Sequence, residues 1–258
     1  MTYTHADTPV LEICVDSYES VEACVAGGGM RMEMCAGLVV GGLSPSYALF
    51  EKSRAFTEVP INVLIRPRAG DFCYTEAEFD IMLREVRAFK DMGAAGVGPG
   101  ALLPDGTLDQ HRIEQLRTAS EGMQLTLSRA FDVARDPFEA LETAIDLGVD
   151  TILTSGQHPN AALGADLLGE LNERAAGRIE ILAGGGVNAD LIAQLWSKGL
   201  RNFHMSGKID AESLMEFRRP DVRMGAPGTD EFSIIRTDAE KVRAARRTVD
   251  RLALEETV

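Results

Sequence analysis

Short apolar runs alternate with longer stretches of helical periodicity along most of the chain. Runs rich in Val, Ile, Leu and Met, bounded by Gly, Pro or polar residues, predict β-strands. The stretches between them place apolar residues three and four positions apart, which predicts amphipathic helices. The predicted strands are 10–15, 31–34, 61–65, 95–98, 124–128, 151–153, 178–182 and 202–205. The predicted helices are 17–26, 46–55, 75–92, 109–120, 136–147, 160–175, 188–198 and 238–252.

The order of these elements predicts an α/β fold with a parallel sheet, because alternating strands and helices connect through right-handed crossovers. Eight β–α units in 258 residues match the size of a closed (β/α)8 TIM barrel. An open doubly wound sheet is disfavoured, because no Gly-x-Gly-x-x-Gly turn follows the first strand. No low-complexity linker divides the chain. Residues 1–258 are therefore interpreted as one domain, with 207–235 a long irregular segment after the last strand.

Alternation along the strands predicts a polar barrel interior. Successive side chains point to opposite faces, and the outer face must meet apolar helices, so the polar set of each strand points inward. That set includes Glu12, Arg31, Glu33, Arg66 and His204. Charges removed from water are costly unless they are paired. Two interpretations stay open, an ion-pair network that holds the barrel together and a polar site at its mouth.

The residues that follow the strands extend this chemistry, and barrel enzymes build their sites at that end of the barrel. The glycines at 184–186 run into a predicted helix start at Asn188, which resembles the phosphate site of other barrels, although a simple tight turn explains them equally well. The polar residues at the strand ends include Arg68, Arg129, Asp132, Ser155 and Ser206.

The charge balance limits the classes of partner. The chain has 26 Lys and Arg against 40 Asp and Glu, a formal net charge of -14 and a pI of about 4.8. Nucleic acid and anionic membranes are not expected as partners, since both attract basic patches. No secretory signal or bilayer-length apolar stretch is visible, so we expect a cytoplasmic protein with reduced cysteines.

A series of motifs occurs in order between Leu11 and His204. They are Leu11-Glu-Ile-Cys-Val-Asp-Ser17, Arg31-Met-Glu-Met-Cys35, Gly41-Gly-Leu-Ser-Pro-Ser46, Arg66-Pro-Arg68, Gly70-Asp-Phe-Cys-Tyr74, Arg129-Ala-Phe-Asp132, Ile152-Leu-Thr-Ser-Gly-Gln157, Gly184-Gly-Gly-Val187 and Phe203-His204. Together they resemble the CutC family of copper homeostasis proteins. The resemblance implies a TIM barrel and a cytosolic protein that handles copper, binds Cu(I) and forms homo-oligomers.

The resemblance places the suspected copper thiols on Cys14 and Cys35. These residues share a face near the ends of adjacent predicted strands, and soft thiolates suit Cu(I). Each cysteine alone is better explained as a small buried hydrophobe, whereas the shared face of the pair makes the two explanations about equal. Cys73, in the loop after the third strand, is a candidate third ligand. Ser128 stands where many relatives carry a histidine, which weakens any role that depends on that histidine.

An enzyme acting on a small anionic metabolite at the same polar mouth is the alternative function. Paired carboxylates would serve as acid and base, arginines would clamp the anion, and an aspartate and a histidine would orient or transfer protons. The catalytic candidates are Glu12, Glu33, Arg66, Arg129, Asp132 and His204. The anion-binding candidates are Arg68, Ser155, Gly184, Gly185, Gly186 and Ser206.

Overall fold

The computed structural model describes residues 8–219, 221–222, 224 and 230–256. Eight parallel strands close into a barrel in chain order, which confirms the predicted (β/α)8 architecture. The barrel strands are β1 Val10–Val15, β2 Arg31–Met34, β3 Ile61–Leu64, β4 Gly96–Gly98, β5 Gln124–Leu127, β6 Thr151–Thr154, β7 Glu180–Ala183 and β8 Asn202–Met205. The helices are α1 Tyr18–Gly27, α2 Tyr47–Phe56, α3 Glu76–Asp91, α4 Gln110–Ala119, α5 Pro137–Asp146, α6 Ala165–Ala175, α7 Ala189–Trp196 and α8 Ala239–Glu256.

Side chains on the outer face of the strands form the main hydrophobic core with the helices. On β1, for example, Leu11, Ile13 and Val15 are fully buried in this core. All the helices except α6 begin at side-chain caps that satisfy their first N–H groups. Thr75 and Glu78 form a capping box at the start of α3. Asn188 accepts hydrogen bonds from two N–H groups at the start of α7.

Barrel closure decides which inward-facing residues become neighbours. Strand β8 pairs with β1 so that His204 lies beside Glu12, and β2 pairs with β1 so that Arg31 lies beside Glu12. One step towards the mouth, Cys14 lies beside Glu33. Residues in register on neighbouring strands point to the same face, so these five residues share the interior near the junction of three strands.

The segment after β8 is more regular than the sequence predicts. Within 207–235 the chain forms β9, Lys208–Glu212, and β10 begins at its end, Ser233–Thr237; the two pair as an antiparallel sheet. The Thr237 N–H donates to Ser20 Oγ on α1 at 3.0 Å, which anchors the sheet to the barrel. The prediction missed β9 because its polar, exposed residues lack an apolar face. Residues 220, 223 and 225–229 of the predicted irregular segment lie outside the described residues.

Among the described residues, no helix combines the length and apolarity needed to cross a membrane.

Candidate functional site at the mouth of the barrel

A cavity of about 210 Å³ opens at the C-terminal ends of the strands. Residues from opposite sides of the barrel line it, and eight of them were candidates from the sequence alone. The lining residues that the sequence predicts as site residues are Cys14, Glu33, Arg66, Arg129, Gly185, Gly186, His204 and Ser206. Two of these are adjacent glycines of the triple-glycine loop and six carry side chains. The cavity therefore gathers the polar chemistry that the strand ends predict.

Two cysteine thiols lie side by side at the edge of this cavity. Cys14 lines the cavity, and Cys35 is fully buried next to it and does not line the cavity. Cys14 Sγ and Cys35 Sγ are 3.6 Å apart. With Leu64 they form a small buried cluster separate from the main core. Cys14 Sγ also lies 3.6 Å from Glu33 Oε2. The sequence predicts a shared face near the ends of adjacent strands for the two cysteines, and the structure brings their sulfurs together.

Glu33 and His204 complete a compact set of donor atoms beside Cys14. One ligand atom from each of these three residues lies within 4.8 Å of the other two. His204 Nε2 is 3.8 Å from Glu33 Oε2. We refer to Cys14, Cys35, Glu33 and His204 as the thiol wall. Two soft sulfurs, an imidazole nitrogen and a carboxylate fit a soft monovalent or borderline metal ion.

Glu12 holds His204, one residue of the thiol wall, in place. Its Oε1 lies 2.8 Å from His204 Nδ1, and its Oε2 accepts from Arg31 Nε at 2.5 Å and from Asn62 Nδ2 at 3.4 Å. Burial alone would raise the pKa of the Glu12 carboxyl, but Arg31 and His204 lower that pKa to about 2. Glu12 is therefore an anion at neutral pH, and it fixes the orientation of the His204 ring.

Three other groups of the thiol wall have raised pKa values. The hydrogen bond to Cys35 and burial raise the pKa of the Cys14 thiol well above its usual value. Burial also raises the pKa of Glu33. For His204, burial lowers the pKa, but hydrogen bonds to Cys14 and Glu12 outweigh it and raise the pKa well above 6.5. Cys14 and His204 therefore favour their protonated forms in the absence of a metal ion.

A chain of polar side chains continues from Glu12 towards the floor of the barrel. Asn62 donates to Gln124 Oε1 at 3.0 Å, Gln124 donates to Thr151 Oγ1 at 2.9 Å, and Thr151 donates to Glu180 at 3.1 Å. None of these residues was a candidate for function from the sequence. Their inward parity on strands β3, β5 and β6 was the available signal. This part of the interior agrees with the structural interpretation, since its polar groups mainly bond to one another.

Arg66 lines the cavity, but its guanidinium is largely used by the backbone. Nη1 donates to the carbonyls of Val40 and Gly42 at 3.0 and 2.9 Å, and Nη2 donates to that of Gly70 at 2.7 Å. These bonds hold the short 3-10 helix Leu38–Val40 and the loop after it against the mouth. Arg66 therefore shapes the cavity rim.

Arg68 and Cys73 lie away from the cavity. Arg68 pairs with Glu78 Oε1 at 2.6 Å and with Asp71 at 3.1 Å, and it donates to the Cys73 carbonyl at 3.0 Å. It thus stabilises the turn that leads into α3. Cys73 is exposed, and neither residue lines the mouth cavity. Sequence parity could not place them, because both belong to a loop.

Asp132 positions other groups at the opposite wall. Its carboxylate accepts from Thr154 Oγ1 at 2.6 Å, from the Ser155 N–H at 3.0 Å and from the Gln157 N–H at 3.2 Å. It also pairs with Arg129 Nε at 2.6 Å. Asp132 is itself buried and does not line the cavity. Its role is to hold Arg129 and the loop after β6.

Arg129, Gly185, Gly186 and Ser206 line the part of the cavity formed by the loops after β5, β7 and β8. We refer to these four residues as the arginine wall. Arg129 Nη2 donates to Ser155 Oγ at 2.8 Å. Gly185 and Gly186 have φ of 89° and 76°, a conformation that suits glycine and rarely suits other residues. Gly184 lies just outside the lining, where an added Cβ would collide with Leu153.

Comparisons with known proteins agree with this architecture. The CutC family profile matches residues 9–209. A CutC family protein of Parabacteroides distasonis is 44% identical over 238 residues, which cover 91% of this chain and 98% of the relative. The crystal structure of CutC from Streptococcus agalactiae superposes with a TM-score of 0.73 at 28% identity, covering 77% of this chain and 99% of that chain.

More distant barrels share the fold alone. Thiamine phosphate pyrophosphorylase from Pyrococcus furiosus superposes with a TM-score of 0.56 at 19% identity, covering 94% of this chain and 96% of that chain. At such low sequence identity, the similarity shows a shared barrel fold and does not show a shared reaction.

Proposed function

Because the chain belongs to the CutC family, we propose that it is a copper homeostasis protein and that Cys14 and Cys35 bind Cu(I) at the mouth of its barrel. The Streptococcus agalactiae relative is named as a copper homeostasis protein. The observation that carries the proposal for this chain is the 3.6 Å separation of the two thiol sulfurs. Thiolates are the ligands that Cu(I) prefers in proteins.

His204 is the third ligand that the geometry favours, in place of Cys73. Its ring nitrogen lies within 4.8 Å of Cys14 Sγ, whereas Cys73 is exposed in a loop outside the cavity. A bound Cu(I) would supply a positive charge that stabilises the two thiolates. Glu12 would hold the His204 ring by accepting from Nδ1, which leaves Nε2 for the metal.

The residues of the thiol wall must lose protons before they bind a metal. Cys14 and His204 both have raised pKa values, and only the thiolate and the neutral imidazole coordinate metal ions. Glu33, 3.6 Å from Cys14 Sγ, is placed to accept the thiol proton. Copper binding at this site is therefore coupled to the release of protons.

An anaerobic Cu(I) titration against a competing chelator tests the proposal. We expect the Cys14→Ser/Cys35→Ser double variant to lose at least about a hundredfold in affinity, which is about 2.7 kcal/mol. The matched control is Cys73→Ser, which removes an exposed thiol and should leave the affinity unchanged. Equal Cu(I) affinity in the wild type and the double variant would overturn the thiolate site.

A second candidate function, acid–base catalysis on a small anionic metabolite, has its own supporting observation. His204 lies between two carboxyl groups whose pKa values shift in opposite directions, Glu12 lowered to about 2 and Glu33 raised. Paired groups that titrate apart are typical of acid–base sites. In this function Glu33 would exchange a proton with the ligand, and Glu12 would orient His204.

Screening metabolites by thermal shift, followed by turnover assays on each compound that binds, tests this candidate. A substrate that raises the unfolding temperature should be turned over by the wild type and not by Glu33→Gln. Turnover that survives in Glu33→Gln would exclude the assigned role of Glu33. Binding of metal alone, with no stabilising metabolite, would favour the copper function.

The family resemblance also leads us to propose a cytoplasmic homo-oligomer. Light scattering coupled to size-exclusion chromatography measures the assembly directly. A monomer at every concentration tested would contradict that part of the proposal.

A further inference from the structure

We propose that the arginine wall binds the oxyanion, carboxylate or phosphate, of a small organic ligand. This site uses other residues than the proposed copper site, and it stands whether or not Cu(I) binds the thiols. Its residues come from the loops after β5, β7 and β8, whereas Cys14 lies on β1 and Cys35 directly follows β2. One ligand of suitable size can touch both walls, because both line the same cavity of about 210 Å³.

Arg129 supplies a guanidinium that is held in place and still has a free edge. Nε donates to Asp132 at 2.6 Å and Nη2 donates to Ser155 Oγ at 2.8 Å. Within the described part of the chain, Nη1 makes no hydrogen bond. The side chain is 43% exposed. The two hydrogen bonds fix the guanidinium, and Nη1 remains available to a ligand. Such an arrangement suits a preorganised anion site, since little side-chain entropy is lost on binding.

The backbone beside Arg129 offers further unpaired donors. Neither the Gly185 N–H nor the Gly186 N–H donates to a protein acceptor among the described residues. A Cβ at Gly185 would lie 3.7 Å from Arg129 Cζ and 3.1 Å from Ser155 Cβ, so the loop passes close to the guanidinium. Backbone N–H groups at such a close approach hydrogen-bond oxyanions without the bulk of a side chain.

Hydroxyl groups add donors of the same kind. Ser128 and Ser206 both line the cavity. Ser128 is 4% exposed and its Oγ accepts from the Ala130 N–H. Its hydroxyl proton has no acceptor in the described structure. A buried hydroxyl that lacks an acceptor is costly without a ligand or water to receive its proton, and an oxyanion in the cavity provides that acceptor.

Basic side chains face the cavity of an otherwise acidic chain. The charged lining residues are Arg66, Arg129, His204 and Glu33, while Asp132 and Glu12, outside the lining, pair with Arg129 and His204. The chain as a whole carries a formal net charge of -14. The basic side chains that face the cavity attract small anions to that point, because low-dielectric walls focus the field. Of these basic groups, Arg129 keeps the most N–H donors available to a ligand. Both terminal nitrogens of Arg66 already donate to backbone carbonyls.

Calorimetric titration of inorganic phosphate and, separately, malonate into the full chain at constant ionic strength tests the site. We expect both probes to bind the wild type and to compete with each other. Arg129→Gln should weaken binding at least tenfold, and Ser206→Ala by a few-fold. The matched control is Arg68→Gln, which removes an arginine outside the cavity and should change the affinity less than twofold. The probe that binds with the higher affinity shows whether the ligand's anionic group is a phosphate or a carboxylate.

Several results would overturn the site. These are no binding of either probe at millimolar concentration, equal losses in Arg129→Gln and Arg68→Gln, or probes that bind without competing. If Arg129→Gln does not fold, Ser206→Ala and a crystal of the wild type soaked in phosphate answer the question, and an anion away from Arg129 contradicts the proposal. Anion binding that persists in the Cys14→Ser/Cys35→Ser variant separates this site from the copper site.

Discussion

The two walls of the mouth cavity differ in how they are built. The thiol wall stands on adjacent strands and is buried, with its polar groups bonded to one another. The arginine wall stands on loops, is partly exposed, and keeps donors for which the described part of the chain offers no acceptor. A wall whose Cys14 and His204 favour their protonated forms suits a ligand that displaces protons, such as a metal ion. A wall of fixed, unused donors suits an anion that brings its own charge.

Glu12→Gln should produce the largest effect, and it should act on the thiol wall alone. The variant removes the buried carboxylate that pairs with Arg31 and His204, and breaking such a pair costs about 3–5 kcal/mol. Urea unfolding measures the loss of stability. Cu(I) affinity should fall as His204 loses its orientation, while phosphate affinity at the arginine wall should change less than twofold. Equal losses at both walls would show that they are one coupled site.

Glu33→Gln is the matched control for that variant. Glu33 is as buried as Glu12, but burial raises its pKa whereas the pKa of Glu12 is lowered, so a neutral amide should be tolerated better at Glu33 than at Glu12. We expect a loss of stability well below that of Glu12→Gln. A larger loss in Glu33→Gln would mean that Glu33 is ionised in the folded protein.

Arg66→Lys should weaken both walls together. The guanidinium holds the loop around Val40 and Gly42 through three hydrogen bonds to carbonyls, and an ammonium group cannot reproduce that planar geometry. We expect a loss of about 2 kcal/mol in unfolding free energy, with reduced affinity for both Cu(I) and phosphate. Arg68→Lys, at a partly exposed turn, should cost less. The reverse order would contradict the assigned role of Arg66.

The pH dependence of binding should separate the walls further. Because the pKa values of Cys14 and His204 are raised, both groups are protonated near neutral pH and must release protons to bind a metal. Cu(I) affinity should therefore rise with pH, about tenfold per pH unit for each proton released. Sulfate affinity at the arginine wall should stay nearly constant from about pH 6 to about pH 8, since an arginine keeps its charge there. Chelator competition and calorimetry measure the two slopes, and a flat copper slope would contradict the protonated thiol wall.

Cys73→Ser should give the smallest effect. The residue is exposed and lies outside the cavity, so unfolding free energy should change by less than about 0.5 kcal/mol. Affinities for Cu(I) and phosphate should stay within twofold of the wild type. A marked loss of Cu(I) affinity would restore Cys73 as a ligand and shift the metal towards the loop after β3.

Strand residues of the candidate site could be predicted closely from the sequence, and loop residues only in part. The period-two rule placed Glu12, Glu33 and Cys14 inside the barrel, and all three are buried there. The same rule carries no information past the last residue of a strand. Arg68 and Arg129 both follow strand ends in sequence, yet only Arg129 lines the cavity.

The sequence by itself determined the fold and the inward face of each strand, because both follow from the spacing of apolar and polar residues along the chain. Only the tertiary structure decided which inward residues touch. Closure of the barrel brings His204 to Glu12 across 192 positions of sequence, and the pairing of β1 with β2 sets the two thiols side by side. Contacts of this kind depend on strand register and loop paths, which are fixed by packing of the whole barrel and not by any local pattern.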